Sequence, residues 1–168
     1  SIIIPVYNEE NYIKAILEKI NKIKINKQIV IVDDGSKDRT LKILKENCVG
    51  LFDTLIENQK NMGKGYAVRK GIEFTKGEII LIQDADLEYD PKNYPPLLEP
   101  IKNNKAKVVY GSRVLPGGFR KRPSTIDSKI RVFANYLLTK LSNLLNNQNL
   151  TDAHTCYKVF SAEILKQI

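Results

Sequence analysis

The chain has 168 residues, 42% of them hydrophobic and 27% charged, which excludes a disordered chain and is enough for one domain with a hydrophobic core. Its apolar runs are far shorter than the roughly 18 residues that a membrane-spanning helix needs. The formal net charge of +8 favours an anionic partner, such as nucleic acid, an acidic membrane surface or a phosphorylated ligand, without choosing among them. Cys48 and Cys156 form no CxxC motif and no disulfide framework, which is typical of a reducing compartment, and a single histidine, His154, excludes a multi-histidine metal site.

The apolar pattern predicts alternating strands and helices with short links. In chain order, strands are predicted over residues 1–6, 28–32, 51–57, 78–83 and 106–111, with strand-like spacing again over 151–160. Helices are predicted after Asn8 and after Asp38, each a candidate N-cap, and over residues 66–75, 94–103 and 130–146. This order predicts one α/β domain over residues 1–168, with a mostly parallel sheet and helices on both faces. Because residues 163–168 look helical, we expect the domain to be truncated at its C-terminus.

Two carboxylates follow the most apolar predicted strand. The run from Ile79 to Ile82 leads to Asp84 and Asp86, and residues i and i+2 of an extended chain point the same way. Close carboxylates repel each other and a cation relieves the repulsion; Mg²⁺ or Mn²⁺ suits their oxygens, commonly together with substrate phosphates. The pattern therefore favours a divalent ion and a phosphorylated ligand at this strand end. The simpler alternative is that the two aspartates only cap a turn.

Polar residues also follow two other predicted strands. Asn8 and Glu9 end the first strand, and residues 33–36 (Asp-Asp-Gly-Ser) end the second. In a doubly wound sheet these ends line one edge, where carboxylates can accept hydrogen bonds from a nucleotide base or ribose. Neither a GxGxxG nor a GxxxxGK(S/T) motif is present, which argues against a Rossmann dinucleotide site and a P-loop. Lys64, between two glycines, can approach a phosphate, although a helix-starting turn explains it equally well.

A basic segment precedes a long amphipathic helix. Between residues 111 and 131 the cationic residues are Arg113, Arg120, Lys121, Arg122, Lys129 and Arg131, against Asp127 alone. The apolar side of the helix predicted over 130–146 consists of Val132, Phe133, Tyr136, Leu137, Leu141, Leu144 and Leu145. We expect this side to pack on the domain; the alternatives are that it lies in a membrane interface or docks a missing partner helix.

Taken together, six segments resemble the GT-A glycosyltransferases of family 2, the group that includes dolichyl-phosphate mannose synthase and polyprenyl-phosphate sugar transferases. They are residues 4–10 (IPVYNEE), 32–40 (VDDGSKDRT), 61–67 (NMGKGYA), 84–87 (DADL), 111–113 (GSR) and 151–152 (TD). Each is weak alone, but they occur in the family's order along nearly the whole chain. They therefore outweigh the turn-capping alternative for Asp84 and Asp86.

The resemblance implies an inverting, metal-dependent glycosyltransferase (a hexosyltransferase) that uses a UDP- or GDP-sugar and Mg²⁺ or Mn²⁺. Within that class, the basic segment followed by the amphipathic helix favours polyprenyl (dolichyl or undecaprenyl) phosphate as the acceptor, at the cytoplasmic face of the membrane, with peripheral membrane contact and no nucleic acid. By position, the donor-binding residues are Pro5, Val6, Tyr7, Asn8, Glu9, Asp33, Asp34, Lys64, Asp84 and Ala85. Asp33 or Asp34 would take the base edge. Asp84 would contact the ribose or the sugar, and Asp86 would hold the metal, with Asp84 as a further candidate ligand. Glu88 stands where lipid-phosphate members have a glutamine, which makes it a possible third ligand.

The residues predicted to act on the acceptor are several arginines and one aspartate. A lipid phosphate arrives ionised and needs cations, for which the candidates are Arg113, Arg120, Arg122 and Arg131. A hydroxyl acceptor needs a carboxylate base instead, and Asp152 is the best-placed candidate, so the predicted catalytic set is Asp86, Arg113 and Asp152. The segment around Asp152 resembles the family's acceptor-side segment, which often has Gly-Phe where this chain has Cys156-Tyr157. His154 is better explained as shaping this loop than as a metal ligand.

Two other functions stay open on the sequence alone. One keeps the enzyme class but changes the acceptor to a glycan or cell-surface polysaccharide. The other is a non-catalytic module that binds a nucleotide-sugar or nucleic acid, which the net charge allows but no aromatic-rich basic sheet motif supports.

Overall fold

The computed structural model describes residues 1–115 and 125–167. In these ranges the strands are β1 (Ile2–Val6), β2 (Ile29–Asp33), β3 (Thr54–Glu57), β4 (Ile79–Ile82), β5 (Val108–Tyr110) and β6 (Lys158–Ser161). The helices are α1 (Ile13–Lys22), α2 (Thr40–Asn47), α3 (Lys64–Ile72), α4 (Tyr94–Lys102), α5 (Ile126–Asn146) and α6 (Ala162–Leu165), with a 3-10 turn at Pro91–Asn93. Strands and helices alternate as predicted up to β5, and most predicted bounds differ from these by one to four residues.

One sheet joins all the described strands, in the order β3-β2-β1-β4-β6-β5. The pairs β1–β2, β2–β3 and β1–β4 are parallel, whereas β6 is antiparallel to both of its neighbours, β4 and β5. Because β6 runs the other way, the segment before it enters the sheet at the edge where β1, β2 and β4 end. The predicted mostly parallel sheet is confirmed, and the reversed β6 brings the segment that contains Asp152 to the predicted site.

Helices cover both faces of the sheet, as predicted. On one face, Ile2 and Ile4 belong to a buried core with Ile16 of α1 and Leu98 of α4. On the other face α3 lies so close that a Cβ added to Gly71 would sit 2.7 Å from the Cγ2 of Ile3. Burial on both faces explains why β1, β2 and β4 are almost continuously apolar. No helix in the described part of the chain is both long enough and apolar enough to cross a membrane.

Of the two predicted N-caps, Asn8 is wrong, and Asp38 lies one residue before the N-cap of α2, Arg39, although its side chain still bonds the first residue of that helix. Asn8 does not cap α1, which begins at Ile13; it has a φ of +56°, and its Oδ1 accepts a hydrogen bond from the N–H of Lys37. Asp38 does hold the start of α2, since its Oδ1 accepts from the N–H of Thr40 at 2.9 Å. Asn8 therefore ties the end of β1 to the turn after β2 instead of starting a helix.

The apolar side of α5 does not pack on the domain, which corrects the expectation from its sequence. The helix turns its polar side inward: Thr139 is buried, and Asn143 exchanges hydrogen bonds with the backbone of Leu150. We call the opposite, exposed side the apolar stripe; its exposed members are Ile126, Ile130, Phe133, Tyr136, Leu137, Leu138, Leu141, Leu144 and Leu145. A helical pattern shows that one side is apolar, but here the inward side is selected by hydrogen bonds of polar residues to a distant segment.

Candidate active site

A cavity of about 370 Å³ opens at the carboxyl edge of the sheet, and we call it the carboxylate cavity. Its lining residues are Pro5, Val6, Tyr7, Glu9, Asp34, Asn61, Lys64, Ala67, Asp84, Ala85 and Asp86. Of the predicted donor-binding residues, only Asn8 and Asp33 are missing from this described lining. A larger cavity, of about 600 Å³, lies at the opposite end of the sheet beside Ser1 and contains none of the predicted site residues.

Another cavity, of about 560 Å³, adjoins the carboxylate cavity on the β2 side, and we call it the Asp33 cavity. Tyr7 and Asn61 line both cavities, so the two share a wall. Gly35 brings the turn after β2 against the loop that follows β3: its φ is +74°, and an added Cβ would lie 2.6 Å from the carbonyl carbon of Lys60. The result is one extended groove with carboxylates at both ends.

The adjacent aspartates Asp33 and Asp34 have different environments. Both oxygens of Asp34 are occupied, because they accept from the N–H groups of Met62 and Gly63 and from Asn58 Nδ2, at 2.7–3.1 Å. Asp33 is also buried, and its Oδ2 accepts from the N–H of Ser36, but its Oδ1 has no hydrogen-bond partner in the described residues. A buried acceptor without a partner is costly, so Asp33 is the one of the two that is suited to receive a ligand N–H.

Asp84 and Asp86 face the carboxylate cavity together with Glu9. Burial, and after it the negative charges of Asp86, Asp38 and Asp84, raise the pKa of Glu9. Lys64 donates a hydrogen bond from Nζ to Oδ1 of Asp84. Burial lowers the pKa of Lys64, but the hydrogen bond to Asp84 and the neighbouring negative groups outweigh it, so the pKa is raised and the ammonium stays charged.

Glu88 does not complete a three-carboxylate metal shell. Its side chain lies toward Arg113, with Oε1 at 3.6 Å from Nη1, and within the described ranges no three Asp, Glu, His or Cys residues form a group that could hold a metal ion. The N–H of Glu88 donates to Oδ1 of Asp86, so Asp86 also makes the local turn considered as the simpler alternative. Asp84 and Asp86 remain a pair of hard oxygen ligands in a negative cavity, which fits a divalent ion that takes its other ligands from phosphate and water.

Arg113 and Asp152 are brought together by the reversed β6. Arg113 donates from Nε and Nη2 to the two carboxylate oxygens of Asp152 at 2.8 and 3.0 Å, and from Nη2 to the carbonyl of His154. Burial raises the pKa of Asp152, but hydrogen bonds from the side chain and backbone of Arg113 outweigh it and hold the pKa below its usual range. A carboxylate so occupied is a poor general base, and an arginine so paired has little left for a phosphate.

Of the other predicted phosphate-binding arginines, Arg120, Arg122 and Arg131, only Arg131 lies in the described part of the chain. Arg131 is exposed on α5. Arg120 and Arg122 lie outside the described residues. The assignment of these arginines to an acceptor phosphate stays a prediction.

Cys156 and Tyr89 belong to the site, although the sequence argument gave them no role. The Sγ of Cys156 accepts from the N–H of Asp84 at 3.2 Å, and the N–H of Cys156 donates to the Oη of Tyr89 at 3.1 Å. The side chain of Gln83 adds a further bond, from Nε2 to the carbonyl of Asp84. The signal that could have found Cys156 is its departure from the glycine that the family often has at this position.

Comparison with known proteins decides the family. The sequence model of the family described as Glycosyl transferase family 2 matches residues 1–168. The chain belongs to glycosyl transferase family 2. The predicted family is thereby confirmed, and with it the enzyme class.

Named relatives of this family 2 chain include two prenyl-phosphate enzymes. It is 29% identical to dodecaprenyl-phosphate galacturonate synthase of Rhizobium johnstonii, over 100% of this chain and 49% of the relative. It is 31% identical to UDP-N-acetylglucosamine--dolichyl-phosphate N-acetylglucosaminyltransferase of Methanococcus voltae, over 98% of this chain and 70% of the relative. The chain thus spans from about half to about two thirds of these relatives.

A solved structure confirms the predicted GT-A fold. The mannosyltransferase PcManGT from Pyrobaculum calidifontis, in complex with GDP-Man and Mn²⁺, matches 99% of this chain and 45% of that chain with a TM-score of 0.69. At 21% identity this similarity concerns the fold.

Proposed function

We propose that this family 2 chain transfers a sugar, with inversion, from a UDP- or GDP-sugar to a polyprenyl phosphate at the cytoplasmic face of a membrane. Two of its relatives are named for dodecaprenyl and dolichyl phosphate, which supports this acceptor class. The prediction that the domain continues beyond residue 168 stays a prediction.

The observation that carries the lipid acceptor is the exposed apolar stripe of α5 and its attachment to the Asp152 segment. The helix is joined to that segment by hydrogen bonds from the N–H of Ala153 to Thr139 Oγ1 and between Asn143 and Leu150. Asp152 in turn binds Arg113. A lipid surface seated on the stripe would therefore hold a prenyl phosphate beside Lys129 and Arg131, the exposed basic residues of the first turns of α5.

The ion pair of Asp152 supports an acceptor that arrives ionised. A hydroxyl acceptor must lose a proton to a base, and Asp152 is held by Arg113 with a lowered pKa. A phosphate oxygen is already ionised at neutral pH. It can form the bond to the anomeric carbon while the bond to the donor diphosphate breaks and the leaving diphosphate takes the electron pair, so no proton transfer is required.

The groove that the two cavities form supports a nucleotide-sugar donor at this edge of the sheet. The unpartnered Oδ1 of Asp33 would accept an N–H of the base, and Tyr7 and Asn61, which line both cavities, would border the ribose. Asp84 and Asp86 would hold Mg²⁺ or Mn²⁺. When bound, the metal would offset the charge that develops on the leaving diphosphate.

Donor binding is tested by calorimetric titration of UDP, GDP and their sugar conjugates, with Mn²⁺ and again with a chelator. We expect metal-dependent binding that Asp86→Ala removes. Asp90→Asn is the matched control, since Asp90 caps the 3-10 turn through the N–H of Lys92 and does not line the cavity. If Asp86→Ala bound the nucleotide with Mn²⁺ as tightly as the unaltered protein, the proposed metal site would be wrong.

Acceptor use is tested in vesicles that contain polyprenyl phosphate. We expect turnover there and none with saccharide acceptors. The double variant Phe133→Glu/Leu141→Glu should lose vesicle binding and lipid-dependent turnover but keep its thermal stability, because both residues are exposed. Turnover of a saccharide without turnover of the lipid would contradict the proposal and favour the glycan-acceptor alternative.

A further inference from the structure

Lys64 is the basic side chain of an otherwise acidic cavity. Of the described residues that line the carboxylate cavity, Glu9, Asp34, Asp84 and Asp86 are acidic, and Lys64 alone is basic. The charge of Asp34 is already stabilised by the N–H groups of Met62 and Gly63. Three carboxylates therefore face the cavity with one ammonium, and a diphosphate that enters must overcome their repulsion.

The backbone of Lys64 is fixed, but its ammonium has room to move. Asp34 anchors Met62 and Gly63, the two residues before Lys64, and Lys64 itself is the first residue of α3. The side chain is 53% exposed and ends a flexible four-carbon stem. Its position on Asp84 can thus change without movement of the helix or the loop.

A divalent ion and the Lys64 ammonium compete for one carboxylate. Asp84 Oδ1 accepts from Lys64 Nζ in this structure, and Asp84 is also one of the two carboxylates that fit a metal. Two cations on a single carboxylate repel each other, so a metal ion on Asp84 favours departure of the ammonium. The donor diphosphate, next to the metal, is the anion available to receive it.

We propose that Lys64 is an exchangeable counter-ion: it neutralises Asp84 in the free protein and moves to the donor diphosphate when a metal ion takes its place. This rests on the proposed function, since it needs a nucleotide diphosphate and a divalent ion in this cavity. Its consequence is that metal and nucleotide binding are positively coupled, because each favours the arrangement that the other needs.

The test is Lys64→Gln, with Lys70→Gln as the matched control on the same helix, where Lys70 contacts Glu73 at the surface. Mn²⁺ affinity without nucleotide is read from the electron paramagnetic resonance signal of free Mn²⁺, and the affinity for UDP and GDP with Mn²⁺ is read by calorimetry. Removing the competitor should tighten binding of Mn²⁺ alone several-fold, whereas nucleotide binding with Mn²⁺ should weaken by about tenfold. Lys70→Gln should change neither affinity.

The opposite changes in Mn²⁺ affinity and nucleotide affinity distinguish counter-ion exchange from a lysine that only binds the diphosphate or only supports the fold. If Lys64→Gln weakens or leaves unchanged the binding of Mn²⁺ alone, or leaves nucleotide binding unchanged, the counter-ion exchange is wrong while the donor site stands. If the unaltered protein binds no nucleotide with Mn²⁺, the proposed function and the exchange both fail. Lys64→Met, with an unbranched chain of similar reach, is measured in the same way if the glutamine variant does not fold.

Discussion

Arg113 binds both carboxylate oxygens of Asp152 and also donates its backbone N–H to that carboxylate, across 39 positions of the sequence. The two side chains are 17% and 5% exposed, so the pair is largely shielded from water. It joins the chain just after β5 to the chain just before β6, at the edge of the sheet where the site lies. The pair therefore supports this edge of the site structurally.

Asp152→Asn should destabilise the protein by about 3 kcal/mol, because the largely buried Arg113 guanidinium keeps only the exposed Glu88 carboxylate, 3.6 Å away, as a negative partner. The measurement is the free energy of unfolding from denaturant titration. Glu163→Gln is the control, since Glu163 pairs with Lys107 at the surface, and we expect little change there. An Asp152→Asn protein of unchanged stability that had lost turnover would instead identify Asp152 as a catalytic base.

The Arg113–Asp152 pair also predicts how the free energy of unfolding depends on pH. The pKa of Asp152 is lowered in the folded protein, whereas in the unfolded chain it is about 3.9. As the pH falls, the unfolded chain takes up the proton first, so the stabilisation is fully present above about pH 4 and is lost as the pH drops through the folded pKa.

Unfolding titrations between neutral and strongly acidic pH check this dependence. We expect the Asp152→Asn curve to fall less steeply than that of the unaltered protein below about pH 4. If the two curves of unfolding free energy against pH ran parallel over the whole range, the ion pair would not couple folding stability to protonation of Asp152.

Cys156→Ala should weaken metal-dependent nucleotide binding several-fold, because the backbone of Asp84 loses the acceptor that positions it. Cys156→Ser supplies another acceptor at the same place and should restore most of the affinity. Cys48→Ala is the control: Cys48 is also buried, but it lies in the core at the end of α2. Equal losses of affinity in the two alanine variants would mean that Cys156 acts only through general packing.

Gly35→Ala should cost more stability than Gly50→Ala, although both glycines have positive φ, +74° and +82°. Backbone strain costs each variant about 1 to 2 kcal/mol. At Gly35 the new Cβ also meets the backbone of Lys60, whereas no described atom lies within 4 Å of a Cβ at Gly50. Equal losses of unfolding free energy in the two variants, measured by urea titration, would show that the loop after β3 shifts at no cost to accommodate the added methyl group.

The amino-acid sequence by itself determined the alternation of strands and helices and the location of the carboxylates at strand ends. These features are local: apolar runs fix β1, β2 and β4, and the residues that end them must lie at one edge of a parallel sheet. Asp84 and Glu9 could therefore be assigned to one site without coordinates. The order of the motifs along the chain then predicted the family, which composition and residue spacing alone did not identify.

Tertiary structure decided the features that depend on partners far along the chain. The pairing of β6 with β4 and β5 reversed this strand and joined Arg113 to Asp152, which makes the best candidate base a poor proton acceptor. Hydrogen bonds to residues after β3 distinguished Asp34 from Asp33, and Asn143 and Thr139 turned the polar side of α5 inward. A local sequence pattern determines which residue types share a helix face or a turn. The groups that bind those residues come from distant parts of the chain, so only the folded structure identifies them.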